Sequence, residues 1–288
     1  MIVERLALVG TGLIGGSFAL ALKEAGAVGE VLGVGRNPAT LEAARELGII
    51  DRAASFEAAA QADVILLALP VQATEAVLLQ LAPHLKPGVI ITDAGSTKAS
   101  VVAAARHTLG ERFRDFVPGH PIAGSEQSGP SAARADLYRG KRCVLTPVPE
   151  TRPQAVDQVR ALWQAAGAEV GELDAATHDR IFAAVSHLPH LAAFALVDEL
   201  AQRPDAGAFF RYAASGFRDF TRIAGSSPAM WRDIAFANRD ALLVEIDAYQ
   251  RALATLRAAL AAGDAQTLYD SFERARSARD NWAQEQDQ

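Results

Sequence analysis

The sequence predicts an α/β domain with a doubly wound parallel sheet, followed by an all-α domain, and three observations support this prediction. A glycine-rich turn near the N-terminus separates an apolar run from a helical pattern. Short apolar runs then alternate with amphipathic helical segments, which is typical of βαβ units. After Leu173 only helical periodicity continues. We therefore place an α/β domain at residues 1–173 and a helical domain at residues 174–288.

The glycine-rich turn Gly10–Gly15 has the spacing G-x-G-x-x-G, and it follows the apolar strand candidate Leu6–Val9 directly. A helical pattern begins immediately afterwards, and this is the context that a Rossmann-type dinucleotide-binding fold requires. Gly10 permits the tight turn, Gly12 lets the backbone approach a pyrophosphate, and Gly15 lets the helix pack closely on the strand. The free N–H groups at the helix start would hold the phosphates.

The end of the second predicted strand, Glu30–Gly35, indicates which dinucleotide is bound. An NAD enzyme places Asp or Glu there to bond the ribose hydroxyls, whereas this chain has Arg36 and Asn37. Arg36 is either a solvated side chain or the partner of a 2′-phosphate, and we expect NADP, with NAD also possible. We expect the cofactor to be bound by Gly10, Gly12, Leu13, Ile14, Gly15, Arg36, Leu69, Pro70 and Ser96.

The later part of the α/β domain shows the same alternation of strands and helices. The continuously apolar run Val64–Leu69 fits a strand covered on both faces. Further strands are predicted at Val89–Thr92, Phe116–Pro118, Arg142–Thr146 and Glu169–Leu173, with helices at Pro38–Leu47, Gln72–Leu85 and Pro153–Ala166. In the helical half, Asp174 is placed to cap a helix that continues towards His187, and Pro189 predicts a kink or a junction.

Composition excludes several classes of protein. A formal net charge of −6 argues against a nucleic-acid-binding protein or one that binds anionic membranes. The single cysteine, Cys143, excludes an internal disulfide and a cysteine-based metal site, and we expect no metal. We expect no membrane-spanning segment, because no apolar run approaches the ~20 residues that span a bilayer. We expect a cytoplasmic protein whose helical domain forms a homodimer.

Candidate catalytic groups follow two strand ends. Ser96 lies in the small-residue turn Asp93–Lys98, where it either caps the next helix or turns its hydroxyl to the nicotinamide and substrate. Lys98 is expected to be solvated. His120 precedes Pro121 and is therefore held in an extended geometry. Imidazole is the side chain best suited to removing a hydroxyl proton near neutral pH, so we expect His120 to be the general acid/base.

The helical half holds two further groups of interest. His187 and His190 lie close together in Ser186–His190, as substrate contacts or as helix-packing groups. Arg218 and Arg222 are spaced i, i+4 and so project from one helical face. Such a pair can clamp a carboxylate, although Arg218 fits a salt-bridged surface equally well.

Together these motifs resemble the prephenate/arogenate dehydrogenase family of tyrosine biosynthesis. The resemblance rests on Gly10–Ser17, Asp93–Lys98, His120–Gly124, Ser186–His190 and Phe217–Ala224. It implies an oxidative decarboxylation in which hydride leaves the ring carbon that bears the 4-hydroxyl and carbon dioxide leaves as the ring aromatises. It also implies that His120 accepts the hydroxyl proton, that Ser96 assists, and that Arg222 binds the ring carboxylate of prephenate or arogenate.

By the same resemblance, one of His187 and His190 contacts the side-chain end of the substrate. The expected substrate-binding residues are Arg222, His187, His190, Ser125, Gly216 and Arg218, with an ion pair between Glu126 and Arg218 at the site mouth. Two other functions remain open. A 3-hydroxyacid dehydrogenase would need a lysine in the second domain, yet no lysine follows Lys141. A non-catalytic NADP-sensing regulator would not need His120, Ser96 and the arginine pair in one cleft.

Overall fold

The computed structural model describes residues 1–125 and 127–286. The chain forms two compact units, residues 1–239 and residues 240–288. The first unit contains both the α/β part and most of the helical part. A domain boundary after residue 173 stays a prediction.

A six-stranded parallel sheet forms the centre of the first unit, in the order β3-β2-β1-β4-β5-β6. Its strands are β1 (Val3–Val9), β2 (Val28–Val34), β3 (Arg52–Ala53), β4 (Val64–Leu67), β5 (Ile90–Asp93) and β6 (Phe116–Val117). Strand order reverses between β1 and β4, and ligands bind at such a switch point in doubly wound sheets. The predicted fold class is confirmed.

Helices cover both faces of this sheet, as the alternation along β1 demonstrates. Leu6 and Leu8 belong to one buried cluster, whereas Ala7 and Val9 belong to the other. Successive side chains of a strand point to opposite faces, so each face has its own apolar core. The helices of this part are α1 (Leu13–Glu24), α2 (Pro38–Glu46), α3 (Phe56–Ala59), α4 (Thr74–Leu81), α5 (Ala99–Leu109) and α6 (Pro153–Ala165).

A second, three-stranded sheet corrects the prediction of one continuous parallel sheet. It consists of β7 (Gly119–Pro121), β8 (Arg142–Leu145) and β9 (Glu169–Glu172). Strand β7 pairs antiparallel with β8, while β8 and β9 run parallel. The sequence missed β7 because its three residues include a glycine and a proline, both of which are poor strand signals. The consequence is that His120 lies on a strand rather than in a loop after one.

The rest of the first unit is helical, with α7 (Ala175–Phe182), α8 (Leu188–Ala201), α9 (Ala206–Tyr212), α10 (Ser215–Thr221) and α11 (Pro228–Ala237). A π-helical turn, Ala183–His187, joins α7 to α8. Pro189 follows directly and lacks an N–H group, so the regular helical hydrogen bonding cannot pass this point unchanged. The predicted junction is therefore a π turn, and it carries His187.

The continuous helical stretch Ala175–Ala201 is 27 residues long and reaches a mean hydropathy of 1.5 over an 18-residue window. By length and composition alone it is long and apolar enough to cross a membrane, but it is not one uninterrupted apolar run, since it contains Asp179, Arg180, Asp198 and Glu199. A single such helix is weak evidence, since core helices of soluble proteins pass the same test. This one also carries polar side chains that are buried by the protein, among them His178 and His187.

The second unit is formed by two long helices, α12 (Arg239–Ala262), whose first residue still belongs to the first unit, and α13 (Ala265–Gln286). Gly263 connects them with a φ of 68°, a left-handed conformation that glycine adopts readily. Both helices expose large apolar side chains: Leu243, Val244, Tyr249, Leu253, Leu260, Tyr269, Phe272 and Trp282.

Candidate active site

The glycine-rich turn between β1 and α1 admits no side chain at two of its three glycines. Gly10 has a φ of 98°, and a Cβ there would lie 2.1 Å from the Ala68 carbonyl oxygen. A Cβ at Gly15 would lie 2.4 Å from the Gly10 carbonyl oxygen. At Gly12, by contrast, a Cβ would meet nothing within 4 Å. Gly10 and Gly15 are thus required by the fold itself, whereas Gly12 faces open space in which a ligand can approach the backbone.

The N-terminus of α1 is suited to binding an anion. The helix begins at Leu13, Gly12 supplies no capping side chain, and its first turn holds no acidic residue. The hydroxyl of Tyr138 donates to the carbonyl oxygen of Ile14 at 2.5 Å and so fixes this turn. Unsatisfied N–H groups and the positive end of the helix dipole favour a phosphate here. These residues fit a dinucleotide pyrophosphate.

At the end of β2, the loop after Val34 presents a cation and no carboxylate. Arg36 is exposed, and the Asn37 side chain accepts the Ala39 N–H at 2.9 Å to cap α2. The nearest strand carboxylate, Glu30, is paired with Arg5 and Arg52. Beyond β4, Leu69 is half-buried and Pro70 is exposed.

His120 on β7 is the first member of a chain of three hydrogen-bonded side chains. Its Nδ1 lies 2.8 Å from Nε2 of His178, and Nδ1 of His178 lies 2.8 Å from Oδ1 of Asp179. The Phe182 ring packs against both imidazoles, with centroid distances of 4.8 Å and 4.4 Å. Burial lowers the pKa of His120 well below its usual value, and the charges of Lys98, His178 and His187 lower this pKa further.

Lys98 corrects an expectation, because it is completely buried rather than solvated. Its ammonium group forms an ion pair with Asp93 and donates to the Gly119 carbonyl oxygen at 2.6 Å. Asp93 also accepts the Gly119 N–H at 3.0 Å. This buried pair therefore fixes the end of β5 against the start of β7, one residue before His120.

Ser96 does not cap helix α5, which begins at Ala99. The cap is supplied by Asp179, whose two carboxylate oxygens accept the N–H groups of Lys98 at 2.7 Å and Ala99 at 2.9 Å. The side chain of Ser96 is half-buried. The helix-capping alternative for Ser96 is therefore wrong, and its ligand-facing role stays a prediction.

His187 lies on the π turn and is buried. Its Nδ1 lies 3.1 Å from the side-chain nitrogen of Asn238, which also donates to the Asp179 carbonyl oxygen. An amide nitrogen is a donor, so Nδ1 accepts and the neutral imidazole carries its proton on Nε2. This buried Nε2 has no partner among the described residues. Burial lowers the pKa of His187 to about 4, against the opposing effects of Asp179 and of the Ser96 backbone.

His190, Trp231 and Arg222 form a second group. The His190 ring stacks on Trp231, and its Nδ1 hydrogen-bonds to the Ser186 carbonyl oxygen at 2.9 Å. Burial lowers the pKa of His190, and the positive charge of Arg222 acts in the same direction. Arg222 begins a 3₁₀ turn, Arg222–Gly225, so it lies just beyond helix α10 rather than within it.

No hydrogen bond or ion pair given for the described residues joins three of the expected substrate-binding residues to these groups. Ser125, Gly216 and Arg218 are exposed, and the Ser125 hydroxyl accepts only the Gln127 N–H. Glu126, the predicted partner of Arg218, lies outside the described residues. The predicted arginine face is also divided, because Arg218 lies within α10 and Arg222 after its end.

Several polar groups that the fold brings together are not predicted by the sequence. His178, Asp179, Asp93, Trp231 and Asn238 contribute to the site, and Lys98 was interpreted wrongly. One signal was present, since His178 and Asp179 are adjacent near the start of a predicted helix. Its partner His120 lies 58 residues away, and no local pattern reveals that pairing.

Comparisons with known proteins agree over nearly the whole chain. Residues 18–172 match the family model described as prephenate dehydrogenase, nucleotide-binding domain, and residues 174–274 match prephenate dehydrogenase, dimerization domain. The chain is 39% identical to a prephenate dehydrogenase of Bacillus subtilis, over 96% of this chain and 76% of that protein. It is 35% identical to a cyclohexadienyl dehydrogenase of Zymomonas mobilis, over 96% of both chains.

A solved structure is similar over the same length. It is the crystal structure of prephenate dehydrogenase from Aquifex aeolicus in complex with hydroxyphenyl propionate and NAD⁺. The TM-score is 0.91 at 35% identity, and the match covers 96% of this chain and 98% of that one.

Proposed function

Because the chain belongs to the prephenate dehydrogenase family, it is an NAD(P)-dependent oxidoreductase acting on prephenate or arogenate, and we propose the roles of its residues. His120 is the general base that accepts the 4-hydroxyl proton of the substrate. The observation that carries this role is that Nδ1 of His120 is engaged by His178. The hydrogen bond leaves Nε2 for the substrate. When bound, the oxidised nicotinamide supplies the hydride acceptor.

The chain contributes positioning and one general base. His120 removes the proton of the 4-hydroxyl group as hydride leaves the ring carbon that bears this group. Loss of carbon dioxide then aromatises the ring. The proton returns from His120 to the phenolate oxygen, so the base is regenerated. Ser96 lies in the turn between the buried Asp93 and Lys98, where its hydroxyl supports the hydroxyl of the substrate. Holding the reacting groups in this geometry is worth about 7–11 kcal/mol in favourable cases.

The substrate carboxylates are bound by the helical part of the chain. Arg222 binds the ring carboxylate through the bidentate geometry that guanidinium offers. His187 presents a buried N–H without a partner among the described residues, and His190 adjoins Arg222. We assign one of these histidines to the side-chain end of the substrate. Ser125, Gly216 and Arg218 are proposed to complete the pocket mouth.

We propose NADP as the preferred cofactor, with NAD as a second substrate of the same site. Two observations support this proposal. Arg36 is exposed after β2, and the carboxylate of Glu30 on β2 is paired with Arg5 and Arg52. A 2′-phosphate would meet a guanidinium there rather than a carboxylate. Gly10, Gly12, Leu13, Ile14 and Gly15 would bind the pyrophosphate, and Leu69, Pro70 and Ser96 the nicotinamide end.

The direct test is a two-by-two assay of the purified chain, with NADP or NAD against prephenate or arogenate, monitored by the absorbance of the reduced nicotinamide. We expect turnover, with NADP more efficient than NAD. The preferred substrate is whichever of prephenate and arogenate has the higher kcat/KM. No turnover in any of the four assays, with cofactor binding confirmed by fluorescence, would refute these roles and favour a regulator that only binds the dinucleotide.

We also propose that the chain acts as a homodimer in the cytoplasm. The first unit exposes Val185, Tyr212 and Phe236, each at least 65% exposed, and soluble monomers rarely leave large apolar patches uncovered. The family model for residues 174–274 is described as a dimerization domain. A cytoplasmic location is supported by the free, buried thiol of Cys143.

Light scattering coupled to size exclusion tests the dimer. Phe236→Glu should produce monomers, because it places a charge on a covered apolar face. Leu79→Glu is the matched control, since Leu79 is 56% exposed on α4 and should stay irrelevant to assembly. A wild-type monomer across micromolar concentrations would refute the proposal.

Neither the 3-hydroxyacid dehydrogenase nor the non-catalytic regulator is favoured by the comparisons.

A further inference from the structure

The proton positions along the chain Asp179, His178 and His120 follow from hydrogen-bond chemistry. An ionised carboxylate only accepts, so the Nδ1 of His178 must donate to Oδ1 of Asp179. A neutral His178 then has a lone pair on Nε2, which accepts from Nδ1–H of His120. His120 is thereby fixed as the tautomer whose Nε2 carries the lone pair. Only this tautomer can accept a proton at Nε2.

The charge states that this assignment needs are supported by the surroundings. Burial raises the pKa of Asp179, but hydrogen bonds from His178 and from the N–H groups of Lys98 and Ala99 outweigh it and leave this pKa below its usual value. Burial lowers the pKa of His178, and the bond to Asp179 opposes this effect only in part. At neutral pH the carboxylate is therefore ionised, and both imidazoles are neutral.

We propose that His178 and Asp179 are positioning residues that set the tautomer of His120 and stabilise its imidazolium during the reaction. This inference rests on the proposed role of His120 as the base. When His120 takes the substrate proton at Nε2, its Nδ1–H remains bonded to His178, whose own Nδ1–H remains bonded to the Asp179 carboxylate. No covalent bond changes within the trio, and the buried negative charge compensates the positive charge that forms.

Asp179 also couples the base to the cofactor side of the site. The carboxylate that orients His178 is the same group that caps helix α5 at Lys98 and Ala99. That helix begins directly after the turn that carries Ser96. One side chain from the helical half therefore orients both the imidazole on β7 and the Ser96 turn after β5. Asp179 therefore fixes the His120 imidazole and the Ser96 turn relative to each other.

The packing of Phe182 against both rings allows a purely structural role to be separated from the proposed one. His178→Phe keeps an aromatic ring in place but removes the acceptor for Nδ1–H of His120. His178→Gln offers an amide oxygen that can accept the same hydrogen bond. Phe182→Leu is the matched packing control, since it loosens the same stack and leaves every hydrogen bond of the trio intact.

We expect His178→Phe to lower kcat about 10²-fold with little change in KM, and His178→Gln to recover part of this loss. Asp179→Asn should lower kcat by a similar or larger factor, because an amide N–H facing His178 reverses both tautomers. The low-pH limb of kcat/KM should move to lower pH in His178→Phe. His120 loses its acceptor there, while Lys98, Asp93, Asp179 and His187 still surround it.

The outcomes separate the two proposals. If His120→Asn retains full activity, the base itself is wrongly assigned. If His120→Asn is inactive but His178→Phe behaves like Phe182→Leu, with equal kcat loss and an unmoved pH limb, the positioning role is refuted. Unchanged NADP affinity by fluorescence titration and a cooperative thermal transition show that each variant is folded. Should Asp179→Asn fail to fold, the two His178 variants still decide the question.

Discussion

The imidazole of His190 stacks on the indole of Trp231, with ring centroids 3.6 Å apart and an angle of 21° between the planes. The hydrogen bond from His190 Nδ1 to the Ser186 carbonyl oxygen fixes the remaining rotation of the ring. His190 is thus immobilised beside the positive charge of Arg222, which helps to lower its pKa. A neutral His190 adds no second positive charge beside the Arg222 guanidinium, which we propose as the carboxylate-binding group.

Replacing Arg222 tests this arrangement. Arg222→Ala should raise the KM for the substrate about 10–100-fold, because hydrogen bonds to a charged group are worth about 1.5–3 kcal/mol. The change in kcat should be smaller, and the affinity for NADP should stay the same. Steady-state kinetics at saturating cofactor measures the effect.

Arg45→Ala is the matched control for this variant. Arg45 is an exposed arginine paired with Glu42 on α2, remote from the helical part of the chain. It should leave KM unchanged. A normal KM in Arg222→Ala would eliminate the proposed clamp.

The glycines of the first turn differ in what they permit, and paired variants separate folding from cofactor binding. Gly15→Ala forces a Cβ to within 2.4 Å of a backbone carbonyl oxygen and 2.6 Å of the Leu8 side chain. We expect it to lower the free energy of unfolding by about 1–3 kcal/mol, seen as a lower Tm.

Gly12→Ala should behave in the opposite way. The position has open space and a φ of −81°, which alanine tolerates. We therefore expect an unchanged Tm but an affinity for NADP weakened about tenfold or more, since the methyl group occupies the space of the pyrophosphate. Equal Tm losses in Gly12→Ala and Gly15→Ala would contradict the distinction.

The sequence predicted those parts of the molecule that depend on local pattern. The turn at Gly10–Gly15 and the apolar strands of the parallel sheet are read from consecutive residues, and the structure contains them. It also predicted an extended geometry for His120, although it placed this residue in a loop and not on β7. These features are encoded within a few positions of one another.

What the sequence did not predict depends on residues far apart in the chain. Lys98 looked like an ordinary first-turn lysine, because its burial requires Asp93 and the backbone of Gly119 together. The capping of α5 by Asp179 spans 81 residues. The hydrogen bonds of such polar groups form only in the assembled fold, so no periodicity or spacing in the sequence predicts them.

Arg36 provides a test of the cofactor proposal. Arg36→Ala should weaken NADP binding about 10–100-fold, because it removes a charged hydrogen-bond partner of the 2′-phosphate. NAD binding should change little, since NAD lacks that phosphate. Fluorescence titration of both cofactors measures the ratio directly. If the affinities for NADP and NAD fall equally, or if neither changes, Arg36 does not discriminate between the two cofactors.

The pH dependence of the reaction should report the environment of His120. A base must be neutral to accept a proton, and burial together with Lys98, His178 and His187 lowers the pKa of His120 well below 6.5. The neutral fraction therefore stays complete as the pH falls from 8 to about 6.5, and kcat/KM should decline only at lower pH. His120→Asn should lose about 10²–10⁴-fold in kcat, lack this limb and retain its NADP affinity. A wild-type limb centred above 6.5, or one that persists in His120→Asn, would assign the titrating base to another group.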